Sequence, residues 1–211
     1  MTPSKTETTT RVRAEHLGPE RRRPQVLDTA LEIAAEQGVA NVTMAAVAER
    51  MEVTRPVVYA CYAGRGELLS ALLERERSWA LSNMLAMLPP QRTGSIQQMF
   101  VDGFSTLLSS VRERPASWRI IVAADPDPAL TADIARGRAQ IAERVSTVMR
   151  PLMERWQVRD IDRALPVLTE VFLTICETAV RMMLDAQQNW APDDLADIVG
   201  RAAYRALRAT T

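Results

Sequence analysis

Histidine and cysteine are nearly absent: 211 residues hold one histidine, His16, and two cysteines, Cys61 and Cys176. Two thiols so far apart in sequence make no disulfide framework, and with one imidazole they make no metal site. A single histidine near the start, with no Ser-His-Asp set, gives hydrolase chemistry no support. No GxGxxG or phosphate loop occurs. Neither an enzyme nor a cofactor is expected. No uncharged run reaches 18 residues, so no membrane span is expected. The polar N-terminus lacks the apolar stretch of a secretory signal. The expectation is a cytoplasmic chain.

Aromatics are also scarce, at 5%, while apolar residues make up 47%. Alanine, leucine, arginine and glutamate are plentiful, which favours helix. No convincing apolar-polar alternation is present, so the chain reads as all-α. Net charge is zero, so global charge does not announce nucleic acid. Locally, residues 11–25 carry five arginines against Glu15 and Glu20, a net of +3. Lys5 is the one lysine beside 25 arginines, and arginine suits phosphate geometry.

Periodicity and breakers predict about nine helices. Residues 1–20 are polar and read as a flexible basic arm, which either follows DNA or is a solubilising tail. Leu27, Ala30, Leu31 and Ala34 fall on one face of a first helix from Pro24 to Gln37, with Gly38 just past its end. Thr43 caps a second helix ending near Met51, and Thr54 caps a short third one carrying Pro56 in its first turn. A long helix follows from about Gly66 to Leu88, stopped by Pro89-Pro90. Others are expected over 95–112, 115–123, 129–156 with a kink or break near Pro151 and 162–188, with a last one started by the "APDD" of 191–194 and ending near Arg208.

The run "TMAAVAERMEVTRPVVYACY" at 43–62 joins two short apolar helices by a three-residue turn. A helix as short as the second is unstable alone, so neighbours must hold it. Two such helices on a preceding one make a helix-turn-helix, whose second helix offers its first side chains to a major groove. Arg55 at its tip can pair with guanine or reach phosphate, and the Thr43 and Thr54 hydroxyls suit phosphate. The same pattern also fits an ordinary helical hairpin, with Arg55 a solvated charge.

The segment from about 24 to 73 resembles the DNA-binding domain of TetR-family transcriptional regulators. The resemblance rests on the apolar first helix ending in Gly38, Thr43, the "VAERMEVTRPVVY" run, Tyr62, Arg65 and the following "ELL". It implies a helix-turn-helix domain over 21–65 and a larger helical ligand-binding and dimerisation domain over 66–211. It also implies that Arg55, Pro56, Val57 and Tyr59 face the groove, and that Thr43, Thr54, Tyr59 and Arg65 touch phosphates. Two positions depart from the family pattern. Glu52 stands where glycine is usual and is expected in a left-handed conformation. Cys61 stands where histidine or tyrosine is common, which removes one expected phosphate contact.

The implied function is a homodimeric, ligand-responsive repressor that leaves a palindromic operator when a mainly apolar small-molecule effector binds. The alternative is a helical small-molecule-binding or scaffold protein with weakened DNA binding. Candidate effector contacts are Trp79, Met99, Phe100, Phe104, Trp118, Met149, Met153, Phe172, Cys176, Glu177 and Met183, with Met84, Met87 and Trp156 beside them. Met and aromatic stripes at helical spacing are usually plain core. Glu177 and Arg181, spaced i, i+4, either pair on a surface or supply polar groups to a pocket. Small and apolar residues on the last helix, Ala196, Val199, Gly200, Ala203, Tyr204 and Leu207, suit a four-helix dimer interface with Val171, Ile175, Thr178 and Met182.

Overall fold

A computed structural model describes residues 18–87, 95–122, 127–128 and 130–208, without the side chains of 83–87. Nine α-helices and no strand occur among the described residues. They are α1 Pro19–Gln37, α2 Met44–Arg50, α3 Arg55–Tyr59, α4 Arg65–Met87, α5 Ile96–Glu113, α6 Pro115–Ile121, α7 Thr131–Arg155, α8 Ile161–Leu184 and α9 Pro192–Arg208. A single 3₁₀ turn, Val39–Asn41, joins α1 to α2. Most of the arm, Pro89-Pro90, the first half of the 125–128 turn and the side chains of Met84 and Met87 lie outside the described residues.

α1 starts five residues earlier than the sequence suggested. Pro19 takes the first turn and Pro24 sits inside the helix. Pro19 suits the first turn, while Pro24, one turn further in, removes a helical N–H and crowds the carbonyl of Glu20. Arg21, Arg22 and Arg23 are therefore helical. α7 runs through Pro151 without interruption.

Two apolar cores organise the molecule. The first gathers Val26, Ala30 and Ile33 of α1, Val47 of α2, Val58 of α3 and Leu68, Leu69, Leu72 and Leu73 of α4, all essentially inaccessible. This shared core holds α3, which has only five residues. Ile120 of α6 and Leu130 before α7 are buried in the same cluster. The second core lies between α5, α7, α8 and α9. Phe172 stands edge-on to Phe100 and to Phe104, with centroids 6.0 Å apart in each pair. Tyr204 packs similarly against Phe100 and Trp156.

Where α4 passes from the first core to the second it carries Glu76, which is fully buried. Its carboxylate accepts from Arg75 Nε at 2.8 Å, Arg114 Nη2 at 3.0 Å and Ser117 Oγ at 2.6 Å. A buried charge survives only when paired in this way.

The small residues of α9 are used inside the chain. Ala196, Gly200, Ala203 and Leu207 are buried, and Gly200 abuts the backbone of α5. That face was expected at a dimer interface, but sequence cannot tell which helix a close-packing stripe meets. The large apolar side chains left exposed on α8 and α9 are Val167, Val171 and Ile198.

Candidate nucleic-acid interface

The turn between α2 and α3 is built by short-range bonds. Thr43 Oγ1 accepts from Ala46 N at 3.0 Å and caps α2. Glu52 N donates to Glu49 O at 3.1 Å and Val53 N to Ala48 O at 3.0 Å. Glu52 has φ +53°, the left-handed conformation expected of the position. Thr54 is the extended residue before α3, and its side chain makes no cap bond.

α3 turns Val58 into the core and leaves Thr54, Arg55, Pro56 and Tyr59 exposed, Tyr59 to 51%. Val57 is half-buried. Five of the seven residues expected to meet DNA therefore sit together along α3 and its cap, with Thr43 separately at the start of α2. Glu49 and Glu52 are exposed nearby.

Arg65 is placed differently. Its guanidinium is turned into the protein, donating to the carbonyls of Val39 and Val42 and to both oxygens of Asp127. The bond to Asp127 also raises its already high pKa.

Cys61 is buried at the end of α3, and its thiol lies 3.4 Å from Val57 O and 3.6 Å from Pro19 O. Burial pushes its pKa up, against the opposing charges of Arg22 and Arg23. Arg23 donates from Nε to Cys61 O at 3.1 Å, and its guanidinium lies 5.3 Å from the Tyr62 ring centroid. Arg23 thus binds the end of α3 to α1, a contact the sequence did not reveal because it joins residues 38 apart.

Ten of the eleven candidate effector contacts lie in or against the second core. Phe100, Phe104, Trp118, Met149 and Met153 are buried in it, and Trp79, Met99, Phe172, Cys176 and Met183 pack against it. Trp118 Nε1 is buried without an acceptor among the described residues. Arg114 lies 4.2 Å from the Trp79 ring centroid. Glu177 pairs with Arg138 of α7 at 2.9 Å, not with Arg181 of its own helix. Burial, aided by the Glu177 charge, pushes the Cys176 thiol up to about 12. A cleft of about 310 Å³ between α7 and α8 is lined by Ser146, Arg150, Asp162, Leu165, Pro166 and Thr169 among others, and by none of the eleven. No helix among the described residues is long and apolar enough to cross a membrane.

Residues 26–72 match the model of a family described as bacterial regulatory proteins, tetR family. No curated protein sequence matches the chain. Among solved structures, a TetR-like transcriptional regulator from Rhodococcus is similar at TM-score 0.68 and 19% identity, covering 88% of this chain and 95% of that one. A tetR-family transcriptional regulator from Streptomyces coelicolor is similar at TM-score 0.65 and 18% identity, covering 92% and 84%. The fatty acid degradation regulator FadR from Bacillus halodurans is similar at TM-score 0.64 and 10% identity, covering 86% and 94%.

Proposed function

We propose, on the premise that this chain belongs to the TetR family of bacterial regulatory proteins, that it is a homodimeric repressor released from a palindromic operator by a small molecule. The observation that carries the reading is the row of exposed side chains on α3, backed by a core that fixes so short a helix. Arg55 at the tip reads a base, and Pro56, Val57 and Tyr59 complete the groove face. Thr43 and Thr54 hold phosphates. Arg65, with four of its bonds already made inside the protein, supports the domain rather than the contact.

The DNA-binding part ends near residue 65 and the remainder serves effector binding and assembly, while the first core continues past that boundary into Leu68, Leu69, Leu72 and Leu73 of α4. The exposed Val167, Val171 and Ile198 on α8 and α9 form the dimer face. The effector is mainly apolar with one polar group. All of its contacts but Glu177 are buried in the core or packed against it in this conformation, so it binds a more open one and releases DNA by favouring that state. FadR's name ties one such fold to fatty acid degradation, and an apolar chain with a polar end is the first class to test.

Fluorescence titration of the 211-residue chain against duplexes selected from a random pool tests the reading. It requires specific binding to a two-fold symmetric site that weakens as salt rises. Equal affinity for selected and scrambled duplexes would remove it.

A further inference from the structure

Arg65 opens α4, yet it joins three parts of the chain. Nε donates to Val42 O at 2.8 Å and Nη2 to Val39 O at 3.1 Å. Nη1 and Nη2 reach the two carboxylate oxygens of Asp127 at 3.1 and 2.5 Å. One side of the guanidinium therefore grips the connection into α2, and the other grips the residues leading into α7. A planar fork with five donors suits such a junction, and an ammonium does not.

Two further clasps follow along α4. The Ser70 hydroxyl bonds the Asp133 carboxylate of α7. Arg77 donates to Asp133 O at 3.2 Å and to Gln140 Oε1 at 3.0 Å. Its guanidinium lies across Gly137, where any Cβ would collide with it. Beneath these polar bonds, Ile120 and Leu130 fill the core of the DNA-binding part, with Ile134 packed against it. The start of α7 is thus fastened to the DNA-binding part by both polar and apolar contacts.

We propose that Asp127 is a positioning residue for DNA recognition, fixing α2 and the attached α3 through Arg65, and that the start of α7 carries the body's influence on that placement. The proposal rests on the DNA-binding reading above. Asp127 itself touches no DNA in this account. It acts because Arg65 holds Val39 O and Val42 O while Asp127 holds Arg65. Two recognition helices of a dimer must meet major grooves about 34–36 Å apart, so a loosened α2 spoils the fit to a specific site. It does not spoil loose attraction to phosphate. The opposite role is physically distinct: if Arg65 were a phosphate ligand masked by Asp127, removing the carboxylate would free a cation and strengthen binding to any DNA.

Asp127→Asn and Asp127→Glu, in the 211-residue chain, separate these. Binding is measured against a duplex selected by the wild type and against a scrambled duplex, over a range of salt. Amide hydrogen exchange is followed on the same proteins without DNA. Asp127→Asn is expected to weaken binding to the selected duplex at least fivefold, with unchanged affinity and salt dependence on the scrambled one. Asp127→Glu recovers most of the loss. The Val42 and Val47 amides, bonded to Val39 O and Thr43 O, are expected to exchange at least fivefold faster in Asp127→Asn. Amides of α8 and α9 keep wild-type rates, which shows that the variant is folded.

Tighter binding to both duplexes with a steeper salt dependence would overturn the proposal in favour of the masked phosphate ligand. Unchanged binding to the selected duplex, or unchanged exchange at Val42 and Val47, would leave only a passive ion pair and overturn it as well. A wild type that enriches no duplex from the random pool would remove the DNA-binding reading itself, and the role of Asp127 with it.

Discussion

Gly200 of α9 lies directly on Val101 of α5: a Cβ at position 200 would stand 2.7 Å from the Val101 Cα and 2.8 Å from its N. Both atoms are backbone, so no side-chain rotation relieves the clash. Gly200→Ala must push the two helices apart and is expected to cost about 1–3 kcal/mol. For a chain of this size each kcal/mol lowers the melting temperature by roughly 2–4 °C. Thermal unfolding followed by circular dichroism measures it, and an unchanged melting temperature would mean that α5 and α9 do not cross here.

Glu52 holds φ +53° with a side chain that disfavours it. Glu52→Gly is expected to stabilise the chain by about 1 kcal/mol, since the left-handed conformation costs roughly that much for a residue with a Cβ. Urea unfolding should show a higher midpoint at an unchanged slope. A lower midpoint would contradict the strained turn.

Most of the helical frame could be read from the sequence, because local signals set it. Gly38 and Thr43 bracket the α1–α2 connection, whereas the left-handed Glu52 was implied by the family resemblance, which has glycine at that position. Long-range partners could not be read in the same way. Nothing local marks Asp127 as the partner of Arg65, 62 residues away, or Arg138 as the partner of Glu177. Arg181 lay one helical turn from Glu177, and spacing alone favoured it. The α9 stripe of Ala196, Gly200 and Ala203 showed that something packs closely, while the identity of that neighbour, α5, is a tertiary fact. Phe100, Phe104 and Phe172 have the same spacing whether they fill a core or line a pocket.

Ile198 is 56% exposed and Val171 39% exposed on the proposed dimer face. Ile198→Glu and Val171→Glu together should leave the protomer folded and weaken its association, because each carboxylate would be desolvated at the interface. Light scattering at micromolar concentration is expected to give a dimer mass for the wild type and a lower mass for the variant. A monomeric wild type would contradict the interface.

The Cys176 thiol, raised to about 12 from an ordinary value of 9.0, should make the fold sensitive to alkali. Between those values the unfolded chain has lost this proton and the folded chain has kept it, so stability falls as pH rises through the window. Cys176→Ala is expected to flatten the decline above pH ~9 relative to wild type. Urea unfolding at a series of pH values measures this. Parallel declines in the two proteins would show that the thiol is not held in its neutral form.

The most direct test of base reading by α3 is a titration of Arg55→Ala against the selected operator and single-base variants of it. Arg55 is exposed at the first position of α3, so its removal leaves the core untouched. The account predicts a loss of about 1–3 kcal/mol on the selected operator, with discrimination relaxed at one base pair in each half-site. Wild-type affinity and undiminished discrimination at every position would contradict it.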